Sequence, residues 1–192
     1  MDRVRCFGDG NELYARYHDD EWGRAFVDSP DERELFERLS LEGFLAGLSW
    51  LTVLRKREEF RLAFAGFVPE AVAAFTEQDV GRLLGNAGII RNRQKIEACV
   101  QNAKALLALH ADGLLLRDLL AQHLPEPRAT RASTFEDLPA QTPGSVALAK
   151  QLRRLGFRFL GPVTLYSMWA ATGMIDDHLA GCWLVTEGVL PP

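Results

Sequence analysis

The stretch Leu41-Glu42-Gly43-Phe44-Leu45-Ala46-Gly47-Leu48-Ser49-Trp50 ends one helix and turns into the next. Upstream, Leu35, Phe36 and Leu39 recur at helical spacing. Glu42 falls seven residues after Leu35 and three after Leu39, on that same apolar face. The charged face carries Asp31, Arg33, Glu34, Glu37 and Arg38 instead. A buried carboxylate is costly unless a partner or a ligand satisfies it. The pattern leaves two readings of equal weight. In one, Glu42 is buried beside a glycine turn and a large flat ring, as a pocket for a planar, cationic ligand requires. In the other, the helix frays before Gly43 and the acid is solvated.

Outward from this stretch the 3.6-residue period recurs and no segment sustains a period of two, which predicts an all-α chain of roughly eight to ten helices. Ser29-Pro30-Asp31-Glu32 predicts the start of the first long helix, with Ser29 as N-cap, Pro30 at the first helical position and Glu32 closing a capping box. Before it, 13–22 is predicted helical, with Tyr14, Tyr17, His18 and Glu21 on one face. That face, taken alone, fits ordinary packing with polar tips at the surface better than it fits a site. After it, helices are predicted over 50–64, 68–75 and 80–86. The second of these follows Pro69, and Thr76 to Asp79 cap the third. Further helices are predicted from Asn92, over 114–124 and 145–155, and from Pro162 to Gly173, with Gly156 as a left-handed stop. The stretch 125–143 reads as loop with a short capped turn at 133–136.

The segment Asn86-Ala87-Gly88-Ile89-Ile90-Arg91-Asn92-Arg93-Gln94-Lys95-Ile96 is helix, tight glycine turn, helix. Free backbone N–H groups and the positive end of the second helix suit a phosphate there, and Arg91, Arg93 and Lys95 add charge. Plain helical turns also carry Gly and Arg, so the motif alone does not decide for DNA.

The 192 residues suffice for one large domain or two small lobes sharing a core, and 47% of them are hydrophobic. No apolar run is long enough to span a bilayer, and Met1 to Cys6 carry no apolar signal region, so the expectation is a soluble cytoplasmic protein. A net charge of -4 weighs mildly against nucleic acid, although footprints follow local clusters rather than totals. Three cysteines, Cys6, Cys99 and Cys182, do not form a disulfide framework. His178 and Cys182 are four apart, ligand spacing for zinc if they lie on a helix, and Cys6 and His18 offer a second pair. Neither pair matches a zinc-finger spacing, and two free cysteines with two unrelated histidines fit the spacing slightly better. His110 and His123 read as surface residues.

Several longer segments occur together in one order. They are Tyr14-Ala15-Arg16-Tyr17-His18-Asp19-Asp20-Glu21-Trp22-Gly23, Leu41-Glu42-Gly43 with Ala46-Gly47-Leu48-Ser49-Trp50, and Ala87-Gly88-Ile89-Ile90-Arg91. Gly156-Phe157-Arg158-Phe159, Tyr166-Ser167 and Asp177-His178 with Gly181-Cys182 follow. From about Cys6 to Cys182 the chain resembles bacterial DNA-3-methyladenine glycosylase I, of the helix-hairpin-helix superfamily. The resemblance implies a single glycosylase domain over 1–192, with a helical hairpin lobe over about 28–125 and the two terminal segments joined in a zinc-bearing lobe. It implies an enzyme that flips 3-methyladenine out of alkylated duplex DNA and hydrolyses its N-glycosidic bond without cutting the strand. Glu42 and Tyr17 would bond the base and Trp50 and Tyr14 would wall it. Gly47, Leu48 and Ser49 would enter the duplex, with Leu48 as plug. Gly88, Ile90, Arg91 and Arg93 would hold the backbone. Cys6, His18, His178 and Cys182 would bind one structural zinc. No protein partner is evident and a monomer is expected.

Two departures from the family pattern stand out. The loop between Cys6 and Tyr14 is one residue shorter than usual and has Phe7 near the place of a tryptophan. Leu45 stands where glutamine is usual. They motivate two alternatives, a non-catalytic zinc-containing DNA-binding paralogue and a glycosylase with shifted alkylpurine specificity.

Overall fold

The computed structural model describes residues 3–24 and 31–190. Among them are eleven α-helices and no strand. They run α1 (Glu12–Asp20), α2 (Glu32–Leu45), α3 (Trp50–Leu54), α4 (Arg57–Ala63), α5 (Pro69–Ala73), α6 (Glu77–Gly85), α7 (Arg93–Ala111), α8 (Leu116–Ala121), α9 (Pro143–Arg154), α10 (Pro162–Thr172) and α11 (Trp183–Thr186). Short 3-10 turns occupy Ala65–Phe67 and Phe135–Asp137.

α2 is the central element, packed by α3, α7, α8 and α10. It is therefore buried on nearly all sides rather than along one stripe, and Leu35, Phe36, Leu39 and Leu41 are fully enclosed. Each such side chain contributes roughly 1.5–3 kcal/mol through burial. Beside it a run of rings extends the core: Phe44 lies 4.6 Å from Phe60 between centroids, and Phe64 stacks on Phe67 at 5.5 Å.

The local signals place several ends as predicted. Thr76 and Asp79 form a reciprocal capping box on α6, Asn92 caps α7, and Gly173 ends α10 in the left-handed conformation. Thr134 and Asp137 box the short turn inside the 125–143 loop.

Other expectations change. The cap of α2 is Asp31, which accepts from the Arg33 N–H, while Ser29 and Pro30 lie outside the described residues. The predicted box of Glu32 with Ser29 therefore also lies outside the described residues. The Glu32 carboxylate reaches across the fold and accepts from the Leu116 and Arg117 N–H groups at 2.8 and 3.0 Å, capping α8, whose own N-cap Leu115 has no polar side chain. His110 lies 2.8 Å from the same carboxylate, and His123 pairs with Gln151, so both histidines are half-buried and partnered rather than loose on the surface. The predicted helix over 50–64 is two helices. The end of α3 tightens through a bond from the Lys56 N–H to the Val53 carbonyl, and α4 restarts at Arg57.

Candidate functional site

Because α2 continues through Gly43 to Leu45 in the middle of the fold, Glu42 is only 4% exposed, which settles the two readings in favour of the buried acid. Its face of α2 meets α1 and α3. Asn11 caps α1 by accepting from the Tyr14 N–H, and the helix presents Tyr14, Tyr17 and His18 together. The Tyr17 ring lies 5.4 Å from Trp50 and 6.5 Å from Tyr14 between centroids. Phe7 packs at 4.6 Å on Tyr14 and meets Trp22 edge-on at 5.1 Å, so it supplies an aromatic ring to the same wall.

Glu42 and the rings of Phe7, Tyr14, Tyr17, Trp22 and Trp50 line a cavity of about 420 Å³ together with Tyr166 and Ala170 of α10 and Phe135 and Leu138 of the 125–143 loop. Leu45 also lines it. Two buried polar atoms in the wall, Oε2 of Glu42 and Nε1 of Trp50, have no hydrogen-bond partner among the described residues. Burial pushes the Glu42 carboxyl up to about 8, against the opposing influence of Arg38 one turn back on α2. Burial also raises the hydroxyls of Tyr17 and Tyr14, so both are protonated donors near neutral pH. A second buried carboxylate lines the cavity, Asp177, but it is occupied: Tyr166 donates to it at 3.2 Å and Arg128 pairs with it.

The turn after α2 is exposed throughout Ala46 to Ser49. Gly47 has φ +80°, a conformation that favours glycine, and the turn holds Leu48 44% exposed at its tip. Ser49 caps α3, accepting from the Thr52 N–H. Lys95, at the start of α7, donates to the carbonyls of Phe44 and Ala46 at 3.0 and 2.6 Å. It therefore ties the end of α2 to the hairpin between α6 and α7.

Within that hairpin the N–H of Gly88 is already donated to Asn86 Oδ1 at 2.8 Å, so Gly88 does not offer a free donor. Its role is steric: a Cβ there would lie 2.7 Å from Cγ of Glu59. The N–H groups of Ile90 and Arg91 have no partner among the described residues. Arg93 is engaged by Glu77 and Glu97 at 2.5 and 3.1 Å, whereas Arg91 is exposed and has no ion pair among the described residues.

Cys6, His18 and Cys182 bring their ligand atoms within 4.8 Å of one another, a group able to hold a metal ion. His178 stands outside that tight group, yet its buried Nε2 has no partner. Its spacing from Cys182 has a different basis from the one predicted: 176–182 is loop, and Cys182 is the N-cap of α11. Each imidazole has a carboxylate on its Nδ1, Asp19 on His18 at 2.9 Å and Asp176 on His178 at 3.0 Å. That is the arrangement which leaves Nε2 as the ligand atom. Gly23 is needed for the fit, since a Cβ there would lie 2.5 Å from the His178 ring. The cluster sits directly behind the cavity wall, with Trp22 4.5 Å from His178 and Phe7 5.1 Å from His18.

The structure thus brings Glu42, Tyr17, Trp50 and Tyr14 to one cavity and places Leu48 on an exposed turn joined to the hairpin. Phe135 and Leu138 were missed because an irregular loop carries no periodic signal. Tyr166 and Asp177 belong to segments that the resemblance quotes but to which it gives no role.

The family described as methyladenine glycosylase matches residues 7–185. DNA-3-methyladenine glycosylase 1 of Escherichia coli strain K12 is 45% identical over 171 residues, covering 88% of this chain and 90% of the relative. A crystal structure of a 3-methyladenine DNA glycosylase I, 44% identical, matches with a TM-score of 0.88 over 94% of this chain and 98% of that one. The Staphylococcus aureus 3-methyladenine DNA glycosylase I, in a structure addressing 3-methyladenine recognition, is 38% identical with a TM-score of 0.82, covering 92% of this chain and 93% of its own. The chain belongs to the methyladenine glycosylase family.

Proposed function

We propose that the protein is a monofunctional DNA glycosylase that flips 3-methyladenine out of alkylated duplex DNA and hydrolyses its N-glycosidic bond, leaving an abasic site. The observation that carries this is the unpartnered Glu42 carboxyl in an aromatic-walled cavity. Methylation at N3 makes the base cationic in DNA. A cation beside Glu42 offsets the burial that otherwise holds the acid neutral, so the pair forms only with a charged base. Neutral adenine gains no such pairing. Tyr17, Tyr14, Phe7 and Trp50 stack around the ring, and Glu42 accepts from the exocyclic amine. The base leaves readily because its positive charge takes up the electrons of the breaking N-glycosidic bond, so that it departs as neutral 3-methyladenine while water adds to the sugar, and no side chain is assigned as its general acid.

Flipping costs a few kcal/mol, offset by these contacts and by Leu48 filling the vacated stack. The free N–H groups of Ile90 and Arg91, with the Arg91 guanidinium, hold phosphate beside the turn, while Gly47 and Ser49 shape it. Cys6, His18, His178 and Cys182 hold one zinc ion, which fits the two carboxylate-oriented imidazoles and the orphaned His178 Nε2. Bound there, zinc supplies a structural tie between the two terminal segments and so fixes the wall that carries Phe7. We read the chain as one domain, with a hairpin lobe and this terminal lobe, acting as a cytoplasmic monomer on duplex DNA. Leu45 favours a second reading: its apolar side chain in the cavity shifts the range of alkylpurines accepted.

The test is chromatography of bases released from methylated duplex DNA by the purified protein. Release of 3-methyladenine is expected. Tight binding to abasic or methylated duplex without release would overturn the enzymatic reading. Release of another alkylated purine in its place would establish the second.

A further inference from the structure

Behind Glu42 lies a charged layer that base binding itself does not use. Arg38 sits four residues before Glu42 on α2, with its side chain only 11% exposed. Its Nη1 donates to the Tyr17 hydroxyl at 3.4 Å, and its Cζ lies 5.6 Å from the centroid of that ring. Its Nη2 donates to Glu21 at 3.1 Å. Arg57 on α4 grips the same Glu21 carboxylate through two bonds of 2.5 and 2.9 Å. One carboxylate therefore serves two guanidiniums, while Glu37 and Glu58 share Arg61 and also act on Arg57, so the layer balances as a whole and Arg38 is the charge in it that acts on Glu42.

The remaining groups around Glu42 do not neutralise that charge. From α1 come the hydroxyls of Tyr14 and Tyr17, from α3 the uncharged Trp50, and from α10 Tyr166. Asp177, from the loop after α10, is already paired with Arg128. At the end of α2, Lys95 is bound to backbone carbonyls.

We propose that Arg38 is a positioning residue: it makes the Tyr17 hydroxyl an acceptor, so that the hydroxyl proton faces the cavity, and it supplies the neighbouring positive charge that allows Glu42 to ionise as a base enters. This rests on the reading of the cavity as a base pocket. Tyr17 and Glu42 then present a matched donor and acceptor from two helices, both set by one guanidinium. Glu21 moderates the effect by drawing off part of that charge, and Arg57 fixes Glu21 in place.

The experiment follows the Glu42 carboxyl by 13C NMR titration in the free protein, with Glu42→Gln to assign the signal. In Arg38→Met the midpoint is expected to rise by about one pH unit, the low end of what a nearby opposite charge supplies. Arg38→Lys is expected to bring it most of the way back. Glu21→Gln, which releases Arg38 from its competing partner, is expected to lower the midpoint. An unmoved midpoint in a folded Arg38→Met overturns the proposal. Should that variant not fold, a midpoint unchanged or raised in Glu21→Gln does the same. Base release from methylated duplex gives the functional readout, in which the acid limb of the pH profile moves with the midpoint. The titration needs no turnover. A protein that releases no base would count against the glycosylase reading while the midpoints still decide the role of Arg38.

Discussion

Replacing Glu42 with glutamine should make the protein more stable at neutral pH and a poorer enzyme, and the size of the first effect follows from burial. In the folded chain the Glu42 carboxyl is pushed up to about 8 from an ordinary 4.5. Between those values the folded state keeps a proton that the unfolded state has released. The folded state binds more protons, so its stability falls as pH rises through this window. Each pH unit crossed within it costs about 1.36 kcal/mol, so the loss amounts to about 3 kcal/mol at pH 7 and about 5 kcal/mol above pH 8. Glutamine keeps the shape and does not titrate. Urea unfolding of both proteins from about pH 4.5 to pH 8.5 measures the difference directly, and the other groups cancel. The advantage of Glu42→Gln should be small at the acid end, grow by about 3 kcal/mol by pH 7 and level off above pH 8. Parallel stability curves would show that the acid is not held neutral and would remove the physical basis of the proposed pocket. Release of 3-methyladenine by the same variant should fall by about 10- to 100-fold, the worth of a charge-assisted hydrogen bond.

Three further outcomes are expected. Leu48→Ala should weaken binding to abasic duplex about tenfold and leave the unfolding free energy within about 0.5 kcal/mol, because the side chain is 44% exposed and supports no core. Elemental analysis should find about one zinc per chain, and stripping it with a chelator should lower Tm; a stripped protein that melts no lower would count against a structural metal. Arg91→Ala should reduce the slope of log affinity against log salt by about one, whereas Arg93→Ala should change it less, since Glu77 and Glu97 already engage that guanidinium. Equal slopes for the two variants would mean that the ion pairs open on DNA.

What the sequence disclosed follows from which forces are local. The hairpin was readable because its punctuation is local: the Thr76 and Asp79 box, the Asn92 cap and the turn between them need no distant partner. Glu42 could not be placed from its own neighbourhood, since its burial comes from α3, α7, α8 and α10 closing around α2. The same holds for Glu32, whose carboxylate serves a helix more than eighty residues away. The helical spacing rule does not describe His178 and Cys182, since both lie in loop; the group that could hold a metal takes in Cys182 with Cys6 and His18, and His178 stands beside it, its ring 5.5 Å from that of His18. The wall at Phe135 and Leu138 had no signal, since aromatic and aliphatic residues in irregular backbone become a cavity lining only through what they face.

The cavity holds two buried carboxylates, and their partners assign them different work. Asp177 is met by Tyr166 and Arg128, both on Oδ1, so its charge is compensated; it joins the 125–143 loop to α10. Glu42 has Arg38 only at a distance and keeps an unbonded Oε2, at a cost in stability that no contact within the described residues recovers. A fold selected for stability alone would replace Glu42 with an apolar residue, as the enclosed Leu35, Phe36, Leu39 and Leu41 on the same helix show that the site can pack one. An acid retained there is explained by a ligand that repays its burial. Substituting Asp177 should therefore disturb folding first, and substituting Glu42 should disturb base release first. Carboxamide variants at the two positions, compared for Tm and for base release, separate the roles: a lower Tm for Asp177→Asn alone, and a loss of release with no loss of Tm for Glu42→Gln.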